Sequence, residues 1–158
     1  MKGACRNCHS DGFVDGFYTQ FDQLVALYND KFARPAQKIM DQLTADGVLN
    51  PKAPFEHEVQ WVFWELWHHE GRRARQGASM MGPDYTHWHG LYEVAKHIYE
   101  TFLPAVVEAA KQKDLMLGKK YEAEVQQLLT RPEHRWLKGL SPEEAEALKN
   151  SYKERYNQ

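Results

Sequence analysis

Cysteine is almost missing from this chain of 158 residues: there are two, Cys5 and Cys8. Thiols so close together cannot tie distant segments, so a disulfide framework is excluded. No apolar run approaches the roughly 18 residues that a helix needs to cross a bilayer. The opening MKGACRNCHSDG lacks the apolar stretch of a secretory signal. Neither sign of charge dominates. The 20 Lys and Arg against 22 Asp and Glu leave a net −2, with no basic surplus for nucleic acid or an anionic lipid surface. β-Branched residues are few, and no alternating stretch is bounded by hairpin turns, so no strand is expected. In excess are rings: 13% of the residues are aromatic, with 5 Trp and 8 His. At 42% hydrophobic, the chain can bury a core of ordinary single-domain size.

The hydrophobic pattern is helical. Phe17, Phe21, Leu24, Tyr28, Phe32, Ala36, Ile39 and Leu43 recur in steps of three and four, which places them on one helix face. The expected helices cover 17–45, 55–76, 84–113, 119–130 and 141–155. Pro35 and Pro104 should mark bends or boundaries, and Asp46-Gly47 should end the first helix. The second helix carries Val59, Val62, Phe63, Leu66 and Trp67, with Trp61 and Trp64 on its other sides. In the third, Asp84 is the expected cap, and Trp88, Tyr92, Ala95, Tyr99, Phe102 and Val106 the expected apolar stripe. Gly118 should separate a fourth helix, and Ser141-Pro142-Glu143-Glu144 opens a fifth as a capping box. The expected fold is all-α, a long-helix bundle with an N-terminal loop that carries Cys5-Arg6-Asn7-Cys8-His9, the C-x-x-C-H pattern of c-type heme attachment. Residues 1–16 form the attachment segment, 17–117 the main helical domain and 118–158 a helical tail.

Cys5-Arg6-Asn7-Cys8-His9 fits C-x-x-C-H, the attachment pattern of heme c. Two thiols three positions apart on a helical turn can each add to one vinyl group, and the adjacent imidazole meets the iron. A thiol redox pair and half of a zinc site remain alternatives. The first wants a βαβ context, which is absent, and the second a further Cys/His pair at tight spacing, whereas no further Cys exists. Heme c, with its iron, is the expected cofactor, and His9 the expected proximal ligand.

The remaining histidines cluster. Trp61 to Met81 reads WVFWELWHHEGRRARQGASMM, in which His68 and His69 point about 100° apart on an α-helix. Arg72, Arg73 and Arg75 follow. They form either a solvated helix end or a grip on heme propionates or an anionic substrate. In GPDYTHWHGLYEVAKH, Tyr85, His89, Glu93 and His97 make a polar stripe that fits a site wall. His68 and His69, then His89, are the distal-ligand candidates.

At these residues the chain resembles a known family. WELWHHEGRRARQGASMMGPDYTHWHGLYEVAKH is similar to the carboxy-terminal region of octaheme hydroxylamine oxidoreductases, and CRNCHSDGFVDGFYTQFD to their last heme site and the helix after it. The resemblance runs from about Cys5 to Val107 and is weak beyond Gly118. It implies a periplasmic multiheme c-type cytochrome, trimeric, acting on a small nitrogen compound and exchanging electrons with a redox partner. It also implies a tyrosine that reaches a neighbouring subunit's catalytic heme in the oxidative members. Tyr85 is the cross-link candidate and Tyr92 the alternative. The departure is sharp, because one C-x-x-C-H stands here instead of eight. The chain corresponds to the last heme and helical tail, and catalysis would need another heme-bearing chain. A free-standing monoheme electron carrier and a heme-free helical assembly module are the competing functions.

Overall fold

The computed structural model of the chain describes residues 1–156, the side chains of 135, 136, 138, 155 and 156 excepted. Among the described residues every regular element is helical, and none is a strand. No described helix is long and apolar enough to cross a membrane. The chain divides into two compact units, one ending at Glu122 and one beginning at Ala123.

The first unit opens with a short turn, α1 (Lys2–Cys5), and then α2 (Asp11–Tyr28). Helix α2 therefore starts before the expected position 17, and Gly12 and Gly16 are helical rather than loop residues. The cause is a cap: the Ser10 hydroxyl accepts from the Phe13 N–H at 3.4 Å, with Asp11 in the first turn facing the helix dipole. A π-helical turn (Asn29–Ala33) joins α2 to α3 (Arg34–Ala45). Asp46 and Gly47 close α3 as expected, with Gly47 at φ 68°.

After the 50–54 linker come α4 (Glu58–Trp64), a second π turn (Glu65–Glu70) and α5 (Gly71–Ser79). The next run holds α6 (Pro83–Thr86), a third π turn (His87–Tyr92), α7 (Glu93–His97), a fourth π turn (Ile98–Phe102) and α8 (Leu103–Lys113). Gly82, not Asp84, caps α6: Pro83 takes the first helical position, which pushes Asp84 inside the first turn. Helix α9 (Leu115–Leu129) also starts early, because Asp114 Oδ1 accepts from the Met116 and Leu117 N–H groups at 2.7 and 3.2 Å.

The prolines interrupt hydrogen bonding without breaking the helices. Arg34 N–H bonds to Asn29 O, and Leu103 N–H to Ile98 O, both five residues back. These two of the four wide turns fall just before a proline, Pro35 or Pro104, whose missing N–H removes the next ordinary bond. Both junction residues keep right-handed helical angles.

The core of this unit holds Tyr28, Phe32, Ala36, Ile39 and Leu43 from the first run, Val59, Val62 and Leu66 from the second, and Val94, Ile98, Phe102 and Val106 from the third. The third stripe agrees with the expected one at Phe102 and Val106 and departs from it at Trp88 and Tyr92. Trp88 and Tyr92 are 64% and 55% exposed, while Phe102 is fully buried. The reason is a close helix approach. A Cβ added at Gly90 would lie 2.6 Å from Ala74 Cα, and one at Gly77 2.7 Å from Thr86 N. Small residues set the buried side where α5 meets the third run, and the large rings rotate outward. At the other end, the Tyr121 hydroxyl donates to Asp46 Oδ2 at 2.8 Å, and Lys120 Nζ at 2.6 Å.

The second unit contains the end of α9, a 3₁₀ turn (Pro132–Lys138) and α10 (Pro142–Tyr156). The expected capping box is present: Ser141 N–H donates to Glu144 Oε2 at 3.0 Å, and Glu144 N–H to Ser141 Oγ at 3.2 Å.

Candidate functional site

Two clusters collect the expected site residues. The first surrounds the C-x-x-C-H segment. Cys8 N–H and His9 N–H both bond to Cys5 O, at 3.1 and 3.0 Å, so the motif is one helical turn. Both thiols are free; Cys5 is half-buried and Cys8 exposed. Ion pairs hold this turn on α2: Arg6 Nε lies 2.7 Å from Asp11 Oδ1, and Lys2 Nζ 2.9 Å from Asp15 Oδ1. The Lys2 hydrogen bond foremost, with the Lys2 and Arg6 charges, holds the Asp15 carboxyl below its ordinary range against the opposing effect of desolvation.

His9 stacks on Phe13, with ring centroids 4.8 Å apart. Phe13 in turn lines a groove of about 530 Å³. One wall is the face of α2 that carries Gly12, Gly16, Phe17, Phe21 and Leu24. The other is the α5–α6 turn and the start of the third π turn, with Met81, Pro83 and His87. The apolar stripe of the first helical run thus splits in two. Its C-terminal half fills the core, and Phe17, Phe21 and Leu24 are half-buried beside the groove. Added Cβ atoms at Gly12 and Gly16 would meet nothing within 4 Å. Met81 adopts φ 55°, the only non-glycine residue with positive φ among those described.

The second cluster joins the second and third π turns. His68 Nε2 pairs with Arg72 at 2.8 Å, and His69 Nε2 with Arg73 at 2.7 Å. A guanidinium can only donate, so each imidazole offers a bare Nε2. Burial first, then the Arg72 and His69 charges, lower the His68 pKa. Arg73 also donates to Glu93 Oε2 at 2.9 Å. His89 stands between carboxylates, 3.4 Å from Glu93 Oε1 and 3.5 Å from Asp84 Oδ2. His97 reaches Glu70 Oε1 at 3.1 Å, across helices rather than along the expected stripe. Glu70 is 5% exposed, and its Oε2 is buried without a hydrogen-bond partner.

Rings fringe this network. His68 stacks on Trp64 at 4.3 Å and on Trp67 at 5.1 Å. Tyr85 meets His89 ring to ring, with centroids 5.7 Å apart. Along the expected polar stripe, the ion-pair line runs from Asp84 through His89 to Glu93, and Tyr85 joins it by its ring. Tyr85 and Tyr92 are both exposed, as are Trp61, Trp64, Trp67 and Trp88.

Arg72 and Arg73, expected to grip propionates, are engaged by imidazoles and a carboxylate. His87, absent from the distal candidates, lines the groove. Its place on the wall depends on the α6 turn packing back on α5, which no spacing rule reveals. Among the described residues no three His, Cys, Asp or Glu side chains converge to hold a bare metal ion. An iron delivered inside a porphyrin needs only one or two protein ligands. No family model, curated protein or solved structure matches the chain.

Proposed function

We propose that this chain is the heme c-binding, electron-transferring helical part of a hydroxylamine oxidoreductase-like multiheme enzyme. The observation that carries the reading is the single helical turn of Cys5, Cys8 and His9, whose imidazole stacks on Phe13, a residue of an open groove with an apolar wall. The fit is favourable: two free thiols share one turn with an imidazole, and open space lies over Gly12 and Gly16. Cys5 and Cys8 would each hold a heme vinyl group as a thioether, S and H adding across the C=C with no net oxidation. When bound, the heme supplies one-electron transfer. Cys5 and Cys8 would hold the group, His9 would face its iron, and the Phe13, Phe17 and Phe21 rings would exclude water from its edge.

The exposed rings of the second cluster support contact with another chain, where aromatic side chains contribute most. In this reading that chain carries the further hemes, the assembly is a trimer in the periplasm, and Tyr85 faces the neighbouring catalytic site. A free-standing monoheme carrier is the second reading, favoured by the fact that groove and attachment turn lie within one unit of this chain.

The test is expression with the cytochrome c maturation machinery. A pyridine hemochrome spectrum on denatured protein should report covalent heme in the wild type and none in a Cys5→Ala/Cys8→Ala variant. Heme retained by that variant after denaturation would defeat the assignment. Native mass with a co-expressed multiheme chain separates the first reading from the second.

A further inference from the structure

The heme-attachment reading leaves the iron's second axial position open, and the structure offers it an imidazole that the sequence patterns did not single out. We propose that His87 is that ligand, and that the groove between α2 and the α5–α6 turn is the seat of the porphyrin. The inference rests on heme attachment at Cys5 and Cys8.

Availability is the first argument. His68, His69, His89 and His97 all pair with arginines or carboxylates. Among the described residues His87 has no hydrogen-bond or ion-pair partner, and it lines the groove. Position is the second. His9 stacks on Phe13, and Phe13 and His87 line the same groove, one from α2 and one from the facing wall. Shape is the third. About 530 Å³ falls within the usual range for pockets that bury a flat organic ligand. The Gly12 and Gly16 positions leave the α2 wall low where a ring would lie.

Rigidity separates His87 from Met81, the other groove residue with a ligating atom. The backbone before His87 is pinned: the buried Thr86 hydroxyl donates to Gly82 O at 2.8 Å, and Thr86 N lies 2.7 Å from the space a Gly77 Cβ would take. Ligands on braced elements hold geometry better than those on turns. Met81 is 59% exposed on the turn itself.

The experiment uses the full chain matured with heme. It compares wild type, His87→Ala, His87→Met and Met81→Ala by hemochrome stoichiometry, absorbance and electron paramagnetic resonance. Wild type should be six-coordinate and low-spin. His87→Ala should keep its covalent heme but turn high-spin, and added imidazole should restore the low-spin signal. His87→Met should give the charge-transfer band of sulfur-ligated ferric heme, which keeps the test decisive if the alanine variant folds poorly. A wild-type low-spin spectrum in both His87 variants overturns the proposal, as does a sulfur signature lost in Met81→Ala, or a five-coordinate wild type. Wild type without covalent heme removes the attachment reading and this inference together, a result distinct from attached heme with another ligand.

Discussion

Gly16 and Gly90 are both helical glycines on inward-looking faces, yet their surroundings are opposite. A Cβ at Gly90 would press on Ala74 Cα and on Tyr85 O, each at 2.6 Å, whereas one at Gly16 would meet nothing within 4 Å. The α5 junction uses glycine because two backbones fill the space. The groove wall uses glycine where the protein leaves space empty. Imidazoles divide the same way: those of the second cluster are committed to guanidinium or carboxylate partners, and His87 at the groove is not. The packed junction is therefore architecture, and the groove is the part of the unit with room and an uncommitted ligating atom.

The strongest way to break this contrast is to compare a buried ring of the third run with an exposed one of the same expected stripe. Phe102→Ala removes a fully buried ring and should cost about 3–5 kcal/mol in denaturant unfolding. Trp88→Ala removes a larger but mostly exposed ring and should cost less than about 1 kcal/mol. Equal losses would mean that Trp88 is covered in the folded state. Next in size is Gly90→Ala, which forces the α5 junction apart and should cost about 1–3 kcal/mol. Gly16→Ala should act in the opposite direction, stabilising the heme-free chain by about 0.5–1 kcal/mol through helix propensity alone. A destabilised Gly16→Ala would show the α2 wall to be closed.

These variants mark where the sequence was legible. The helical class, the end of α3 at Gly47 and the Ser141 box follow from local chemistry, which acts within a few residues and leaves its mark in spacing. The first apolar stripe was legible for the same reason, since Tyr28 to Leu43 keeps one period across a single π turn. The third run was not. Two π turns shift its register, and contacts with α5 decide which face is buried, so Trp88 and Tyr92 fall outside although their spacing is regular. The site divides likewise. Cys5, Cys8 and His9 form a contiguous motif, whereas the Arg73–Glu93, His97–Glu70 and groove–His87 relations are long-range.

The smallest expected effect lies in the second cluster and tests whether its imidazoles are committed. His68 stacks on Trp64 and receives the Arg72 guanidinium, and its pKa lies below the ordinary imidazole value. Burial is the first cause and Arg72 the second, so Arg72→Ala should raise the His68 pKa only part of the way back. The sign for stability follows from proton uptake. With a depressed folded-state value, the unfolded chain takes up the proton first. The contribution is therefore complete above the unfolded value near 6.5 and is lost as pH falls below it. Arg72→Ala should narrow that acid-side loss while leaving Gly16 and the groove untouched. An NMR titration of the His68 ring, with thermal melts above and below the unfolded value, measures both. An unchanged titration would mean that the guanidinium does not rest on His68 in solution, and the second cluster would then hold an uncommitted imidazole like the groove's.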